Sequence, residues 1–532
     1  MLRLVLTARK AVPRALAAER QAAGVPMPDP GFAAVLDFLA GGALGTPVER
    51  VDTHAAIVLL TPDRAFKLKR PVRYSFLDFT TLPAREAALR HELELNRRTA
   101  PELYLRVLPV TVDPDGRMAL DGAGTPIEWL LEMRRFPRDA QLDRVLAAGG
   151  LSPELVDALA DAIAAAQAAA EPTPDQGGAA AMRGVAEGNA QDLRAAVPRV
   201  FAAEDVEALV AETEGRVVRT ANLLDQRRRQ GLVRHCHGDL HLANLVLLDG
   251  RPTLFDCIEF DDAIACIDVV YDLAFLIMDL IEKGHREAGC RLLNRWLERT
   301  GDYECLALLP LFLSLRAAIR AKVLGLAITQ GARGDPAEAR RYLAPAHDFL
   351  SPPTPCLLAI GGGSGTGKTT LARQLAVGVG AAPGAVILRS DVIRKRLLGC
   401  EPTERLPPEA YAPEVSERVF ATIAERASLC LAAGQAVIAD AVYGQERQRA
   451  GIATVATRAG VPFTGIWLEA PAALCTARVA ARTGDASDAD AAVVARQAET
   501  LDQSSVRWHR LRADRPLAAI EAEARALMAE SP

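Results

Sequence analysis

The stretch Gly361-Gly362-Gly363-Ser364-Gly365-Thr366-Gly367-Lys368-Thr369-Thr370 constrains this chain more than any other. From Gly362 to Thr369 it fits the spacing G-x-x-x-x-G-K-[ST], and its flanks give that spacing meaning. Cys356-Leu357-Leu358-Ala359-Ile360 reads as a buried strand, and Leu371-Ala372-Arg373-Gln374-Leu375-Ala376 as an amphipathic helix. The glycines let successive backbone N–H groups turn toward a phosphate, and the helix start adds the positive end of its dipole. Lys368 then reaches the β- and γ-phosphates, and the Thr369 hydroxyl reaches Mg²⁺. The stretch predicts a strand–loop–helix site for ATP and Mg²⁺, contacted by Gly362, Gly363, Ser364, Gly365, Thr366, Gly367, Lys368, Thr369 and Thr370.

The motif lies two-thirds of the way along 532 residues, a length that calls for more than one domain. Ser351-Pro352-Pro353-Thr354-Pro355 is stiff and extended, and places a linker at 351–355 between domains at 31–350 and 356–532. Residues 1–30 read as a leader, with Met27 an alternative start. The net charge of −5 leaves no basic footprint, so no nucleic-acid partner is expected. Nine scattered cysteines without a C-x-x-C pair point to reduced thiols and a cytoplasmic location. No apolar run reaches the roughly 18 residues that span a bilayer, so no membrane partner is expected.

Before the linker, 31–45 reads as a short helix. Short runs at 48–54, 55–60 and 65–69, bounded by turn residues, predict antiparallel strands. A helix follows over 82–98, with Leu89 and Leu93 at helical spacing, then strands near 107–112 and 127–133. Alanine-rich helices fill 140–230, and 268–330 is long, apolar and helical.

A second constellation lies in this half. His237-Gly238-Asp239-Leu240-His241-Leu242-Ala243-Asn244 is followed by Leu254-Phe255-Asp256-Cys257-Ile258-Glu259. An Asp, an Asn five residues on and an Asp twelve beyond match the D-x-x-x-x-N…D layout of phosphoryl transfer from ATP. In it the first Asp, here Asp239, orients or deprotonates an attacking hydroxyl, while Asn244 and Asp256 hold Mg²⁺.

With these residues, 45–345 resembles the aminoglycoside phosphotransferase family, relatives of protein kinases. The resemblance implies an α+β protein-kinase-like fold, a small antiparallel-sheet lobe plus a helical lobe. By the same matching Lys67 falls where the ATP-pairing lysine belongs, with Lys69 as the alternative on the same strand face. Glu92 would be the helix partner, and Glu86 a weaker candidate. Asp272 of Tyr271-Asp272-Leu273-Ala274 would brace the catalytic loop. One departure is the hairpin near Asp52-Thr53-His54, which lacks the small residues the family places over the phosphates.

In the second half, Val386-Ile387-Leu388-Arg389-Ser390-Asp391 reads as a strand ending in a carboxylate, with Arg394 three residues on. Asp391 would orient an acceptor hydroxyl and Arg394 would grip an anionic substrate, although Ser390 or Asp391 would equally cap the next helix. Val437-Ile438-Ala439-Asp440 ends in a carboxylate placed for the Mg²⁺ shell. Arg478 and Arg482, at i, i+4 on one helix face before a polar stretch, read as lid arginines that neutralise developing charge, with Arg496 and Gln497 beyond. Residues 355–515 resemble small P-loop kinases of the gluconate kinase, chloramphenicol phosphotransferase and zeta-toxin type, which implies a three-layer α/β fold with a parallel sheet. The expectation is a bifunctional kinase acting on hydroxyls of a small molecule. A second reading makes one half catalytic and the other a nucleotide-binding regulator. A third, phosphorylation of polynucleotide 5′-hydroxyls, lacks a basic groove or aromatic platform.

Overall fold

A computed structural model describes residues 30–45, 48–53, 55–74, 77–331, 334–481, 486–500 and 506–530. The expected leader, His54 of the first hairpin and Arg482 lie outside the described residues. By packing, the chain divides into two units. One comprises the described residues up to Ala203 together with Ala221–Leu276 and Ile319–Ala339. The other comprises Glu204–Thr220, Ile277–Ala318 and the described residues from Arg340.

The first unit is built on a six-stranded antiparallel sheet flanked by two helices. Helix α1 (Pro30–Phe38) precedes β1 (Glu49–Asp52), β2 (Ala56–Leu60) and β3 (Arg64–Lys69). Helix α2 (Leu82–Arg97) follows, then β4 (Tyr104–Val112), β5 (Met118–Leu120) and β6 (Thr125–Arg134). The strand order is β1-β2-β3-β6-β4-β5. Strand alternation decides the faces: Phe66 and Leu68 of β3 join Phe32, Val35 and Leu39 in one core, so Lys67 and Lys69 point the other way, to α2. Thr81 caps α2 by accepting the Ala84 amide, and Arg85, Leu89, Glu92 and Asn96 form its buried face at helical spacing. Beyond the alanine-rich helices Pro153–Ala169 and Gly178–Ala195, β7 (Val233–His235) pairs with β10 (Cys266–Asp268), and β8 (Leu245–Leu248) with β9 (Arg251–Leu254). Helix α3 (Val269–Glu282) leaves β10 directly.

The second unit is a five-stranded parallel sheet with helices on both faces. It contains α4 (Arg286–Thr300), β11 (Leu357–Gly362), α5 (Lys368–Ala376), β12 (Val386–Arg389), α6 (Ser390–Leu397), α7 (Pro413–Ala432), β13 (Val437–Asp440) and β14 (Phe463–Glu469). It ends with α8 (Ala472–Ala480), α9 (Ala491–Thr500), β15 (His509–Arg512) and α10 (Leu517–Glu530). The order β12-β13-β11-β14-β15 puts the motif strand β11 at the centre. Leu358, Ile360, Ile438 and Ile466 form the core with Leu371 and Leu375 of α5. Continuous apolar runs in β11 and β13 are what a sheet covered on both faces requires.

Candidate functional site

In the first unit the charged residues gather where β3, α2 and two loops meet. Lys67 Nζ donates to Glu92 Oε1 at 2.6 Å and lies 3.1 Å from Asp256 Oδ1. Lys69 Nζ donates to Glu92 Oε2 at 2.7 Å and to Glu259. Glu92 is fully buried, with a lysine on each carboxylate oxygen. Burial alone would raise its pKa, but the two ammonium groups outweigh it and bring it down to about 2. Burial likewise works against the Lys67 charge, and Asp256, Glu92 and Glu259 overcome it and hold that ammonium well above its ordinary range. Glu86 takes no part: it pairs with Arg90 along the helix at 2.8 Å.

The loop after β7 is held by its surroundings. Asp272 on α3 accepts the Gly238 amide at 3.0 Å, and Gly238 adopts φ +80, open to glycine without strain. Asn244 Nδ2 donates to the Asp239 carbonyl and carboxylate, each at 3.0 Å, and so offers its amide oxygen elsewhere. His241 Nε2 lies 3.4 Å from Asp239 Oδ2. Burial pushes the Asp239 carboxyl up, but surrounding positive charge, His241 foremost, pulls harder and leaves it well below the usual range. Asp256 sits at φ +59, a strained conformation for a residue with a Cβ. Its amide donates to the Tyr104 hydroxyl at 3.0 Å, and the next amide, Cys257, donates to Asn96 Oδ1 at 3.0 Å. Tyr104 and Asn96 have no motif signal of their own. The oxygen donors of Asn244 and Asp256 suit a hard divalent cation.

The first hairpin is short and pinned. Thr53 Oγ1 accepts the Ala56 amide at 2.9 Å and donates to its carbonyl at 2.8 Å, and Arg70 donates to the Thr53 carbonyl at 2.9 Å.

In the second unit the glycine-rich loop joins β11 to α5. Gly362, Gly365 and Gly367 have φ of +133, +82 and +97. A Cβ at Gly362 would lie 2.5 Å from the Leu468 carbonyl oxygen, and one at Gly365 2.5 Å from that of Cys475, so the loop admits no side chain at either place. That cradle fits a phosphate group. Lys368 Nζ donates to the Gly363 carbonyl at 2.9 Å, and Thr369 Oγ1 donates to Asp440 Oδ2 at 2.6 Å, the donor pair expected beside a magnesium ion. The Ser364 amide donates to Gln497 Oε1 of α9 at 2.7 Å. Arg478 reaches the Thr366 carbonyl at 3.4 Å and the Ala513 carbonyl at 2.9 Å.

A cavity of about 1550 Å³ opens beside the loop, lined by Lys368, Arg389, Asp391, Tyr411, Asp440 and Arg496 among others. Helix α6 starts after Arg389 with no side-chain cap, so Asp391 is not consumed in capping. Burial raises the Asp391 pKa, opposed by Arg389 and Lys368 and reinforced by Asp440. Arg394 also lines the cavity, but its guanidinium donates to the Ala410 carbonyl at 2.7 Å and lies 4.8 Å from the Tyr411 ring. Asp488 ties three elements together: it accepts from Lys395 Nζ at 3.1 Å, the Leu406 amide at 3.1 Å and the Tyr411 hydroxyl at 2.7 Å.

Comparison with known proteins also divides the chain in two, but at different residues from the packing. Residues 79–309 match the model described as "Phosphotransferase enzyme family", and 357–504 the model described as "AAA domain". A choline/ethanolamine kinase family protein from Mesorhizobium loti is 14% identical, with TM-score 0.39, covering 63% of this chain and 95% of its own. A gluconokinase from Sinorhizobium meliloti is 24% identical, with TM-score 0.24, covering 33% and 92%. Uncharacterised proteins of Mycobacterium tuberculosis and Mycobacterium bovis are each 33% identical over 463 residues, 84% of this chain and 90% of theirs. The chain belongs to the family of these mycobacterial proteins, and is a phosphotransferase in which a kinase-like module and a P-loop kinase-type module share one polypeptide.

Proposed function

We propose that the chain transfers the γ-phosphoryl group of ATP to hydroxyls of a small molecule at two separate sites, each with Mg²⁺. The observation that carries this reading is that each unit brings a lysine and a metal-competent carboxylate to one site. In the first unit it is Lys67 with Glu92 and Asp256, and in the second Lys368 with Thr369 and Asp440. Mg²⁺, when bound, neutralises charge on the phosphates and holds them in line.

In the first unit Asn244 and Asp256 would hold the cation, Lys67 would pair the phosphates, and Asp239 would accept the proton of the attacking hydroxyl. An ionised Asp239 held by Asn244 supports this role. In the second unit the loop amides and Lys368 would hold the phosphates, with Thr369 and Asp440 on the cation side. Asp391 would take the acceptor proton, and Arg478 with Arg482 would meet the developing charge. Arg394 would act on the acceptor through the segment it holds at Ala410. The acceptor is a small molecule of the cytoplasm, and neither nucleic acid nor membrane is a partner; no helix among the described residues is long and apolar enough to cross a membrane.

A second reading is supported by the pinned hairpin at Thr53: if it does not close over phosphates, the first unit senses a nucleotide and only the second transfers it. A metabolite-pool screen for ATP-dependent gain of one phosphoryl group, run on wild type, Asp239→Asn and Lys368→Ala, tests both. Two site-specific losses support two transfers. Loss with Lys368→Ala alone selects the regulatory reading, and a gain unaffected by either variant overturns both.

A further inference from the structure

The first unit contains one buried lysine more than phosphate pairing requires. Lys69 is 2% exposed and enclosed by Glu92, Glu259 and the Phe79 ring, whose centroid is 5.4 Å from its Nζ. It therefore faces carboxylates and an aromatic ring, while Lys67, two residues earlier on the same strand face, faces Asp256. Strand β3 is thus joined twice to the segment 256–259: Lys67 holds its first residue, Lys69 its last. His91 Nδ1 adds a contact to the Glu259 carbonyl at 2.9 Å.

These two connections would meet different fates on nucleotide binding. Asp256 would be called on by a cation and Lys67 by a phosphate, which would loosen the first connection. The segment it held is strained, with Asp256 at φ +59. Glu92, fully buried, would at the same moment lose part of one cation.

We propose that Lys69 is a positioning residue of the first site. Through Glu259 it holds the 256–259 segment on β3, and through Glu92 Oε2 it keeps that carboxylate paired, while Lys67 and Asp256 move to phosphate and metal. This rests on the reading of the first unit as a nucleotide site.

The test uses the full chain carrying Lys368→Glu, whose carboxylate repels phosphate in the glycine-rich loop of the second site, so that nucleotide binding reports the first site. Affinity for ADP is measured by calorimetry in EDTA and again in excess Mg²⁺. The parent gains affinity with Mg²⁺. With Lys69→Met added, EDTA binding stays within about twofold, while the Mg²⁺-dependent gain falls at least tenfold. Lys69→Arg restores most of the gain. Glu259→Gln, which leaves Lys69 paired with Glu92, loses it as Lys69→Met does. The proposal is overturned if Lys69→Met keeps the full gain, or loses EDTA and Mg²⁺ binding in equal proportion as a merely structural residue would. A parent that binds no ADP in either condition refutes the nucleotide reading itself, and the proposal with it.

Discussion

Asn294 stands beside β12 as a strand would: its Oδ1 accepts the Ile387 amide at 2.7 Å, and its Nδ2 donates to the Ala385 carbonyl at 3.1 Å. Strand β12 is the sheet's edge, and an open edge is a liability that proteins cover. The cover comes from α4, inside the stretch matched by the phosphotransferase family model, yet Cys290 of that helix lies in the core of the P-loop sheet. Arg286 donates to the Pro383 carbonyl at 2.8 Å, and Arg396 to the Glu298 carbonyl at 3.0 Å. The strand so gripped runs directly into Arg389 and Asp391.

Asn294→Leu leaves the buried Ile387 amide of β12 unpaired, at roughly 1–3 kcal/mol, and leaves the preceding Ala385 carbonyl only the weak Cys290 thiol contact. Chemical denaturation should show a loss of that order, and deuterium exchange should rise at Val386–Arg389 before it rises at β11. Unchanged exchange at β12 would show that the carboxamide is not its cover.

Lys368→Ala should lower phosphoryl transfer at the second site by roughly 100-fold, as loss of a charge-stabilising donor does. Gly365→Ala should act differently, because its Cβ would meet the Cys475 carbonyl oxygen at 2.5 Å. Nucleotide affinity should fall together with thermal stability, whereas Lys368→Ala should leave the melting temperature nearly unchanged.

Glu92→Gln should destabilise the first unit by about 3–5 kcal/mol at neutral pH, since it leaves two buried lysines short of a carboxylate. Glu92 is ionised in the folded protein down to about pH 2, against about 4.5 when unfolded. Its contribution is therefore complete above about pH 4.5 and fades as pH falls toward 2. Urea melts of variant and wild type should converge over that interval.

The two sites should lose rate at different points on acidification. Asp239 is held below the ordinary carboxylate range and Asp391 above it, so acidification protonates Asp391 first. Asp239→Asn, which isolates the second site, should lose rate at a higher pH than Asp391→Asn, which isolates the first. Each substitution should cost its own site roughly 10²–10⁴-fold. Coincident acid limbs would contradict the assignment of these two bases.

Both candidate sites are legible in the sequence because their chemistry is local. Lys368 and Thr369 are adjacent, Asp239 and Asn244 share one loop, and Lys67 and Lys69 share a face by strand alternation. Glu92 was reachable because a helix follows the strand and presents one buried face. The contacts with no local signature stayed hidden. Tyr104 and Asn96 hold Asp256 and Cys257 from far away in the chain, and Asn294 finds β12 across ninety-three residues. Arg394 carried the charge of a substrate ligand, but only the fold shows its guanidinium on the Ala410 carbonyl. Side-chain-to-backbone contacts of this kind leave no periodicity to read.

Asp488 makes the wall around the cavity and the segment leading into α9 a single linkage, because one carboxylate holds Lys395, Leu406 and Tyr411 together. Such a linkage would select by completion rather than by entry. A molecule that kept Tyr411 from Asp488 would still enter, yet leave the wall unjoined and let water compete for the phosphoryl group. Tyr411→Phe should then raise ATP hydrolysis relative to transfer, and an unchanged ratio would rule this form of discrimination out.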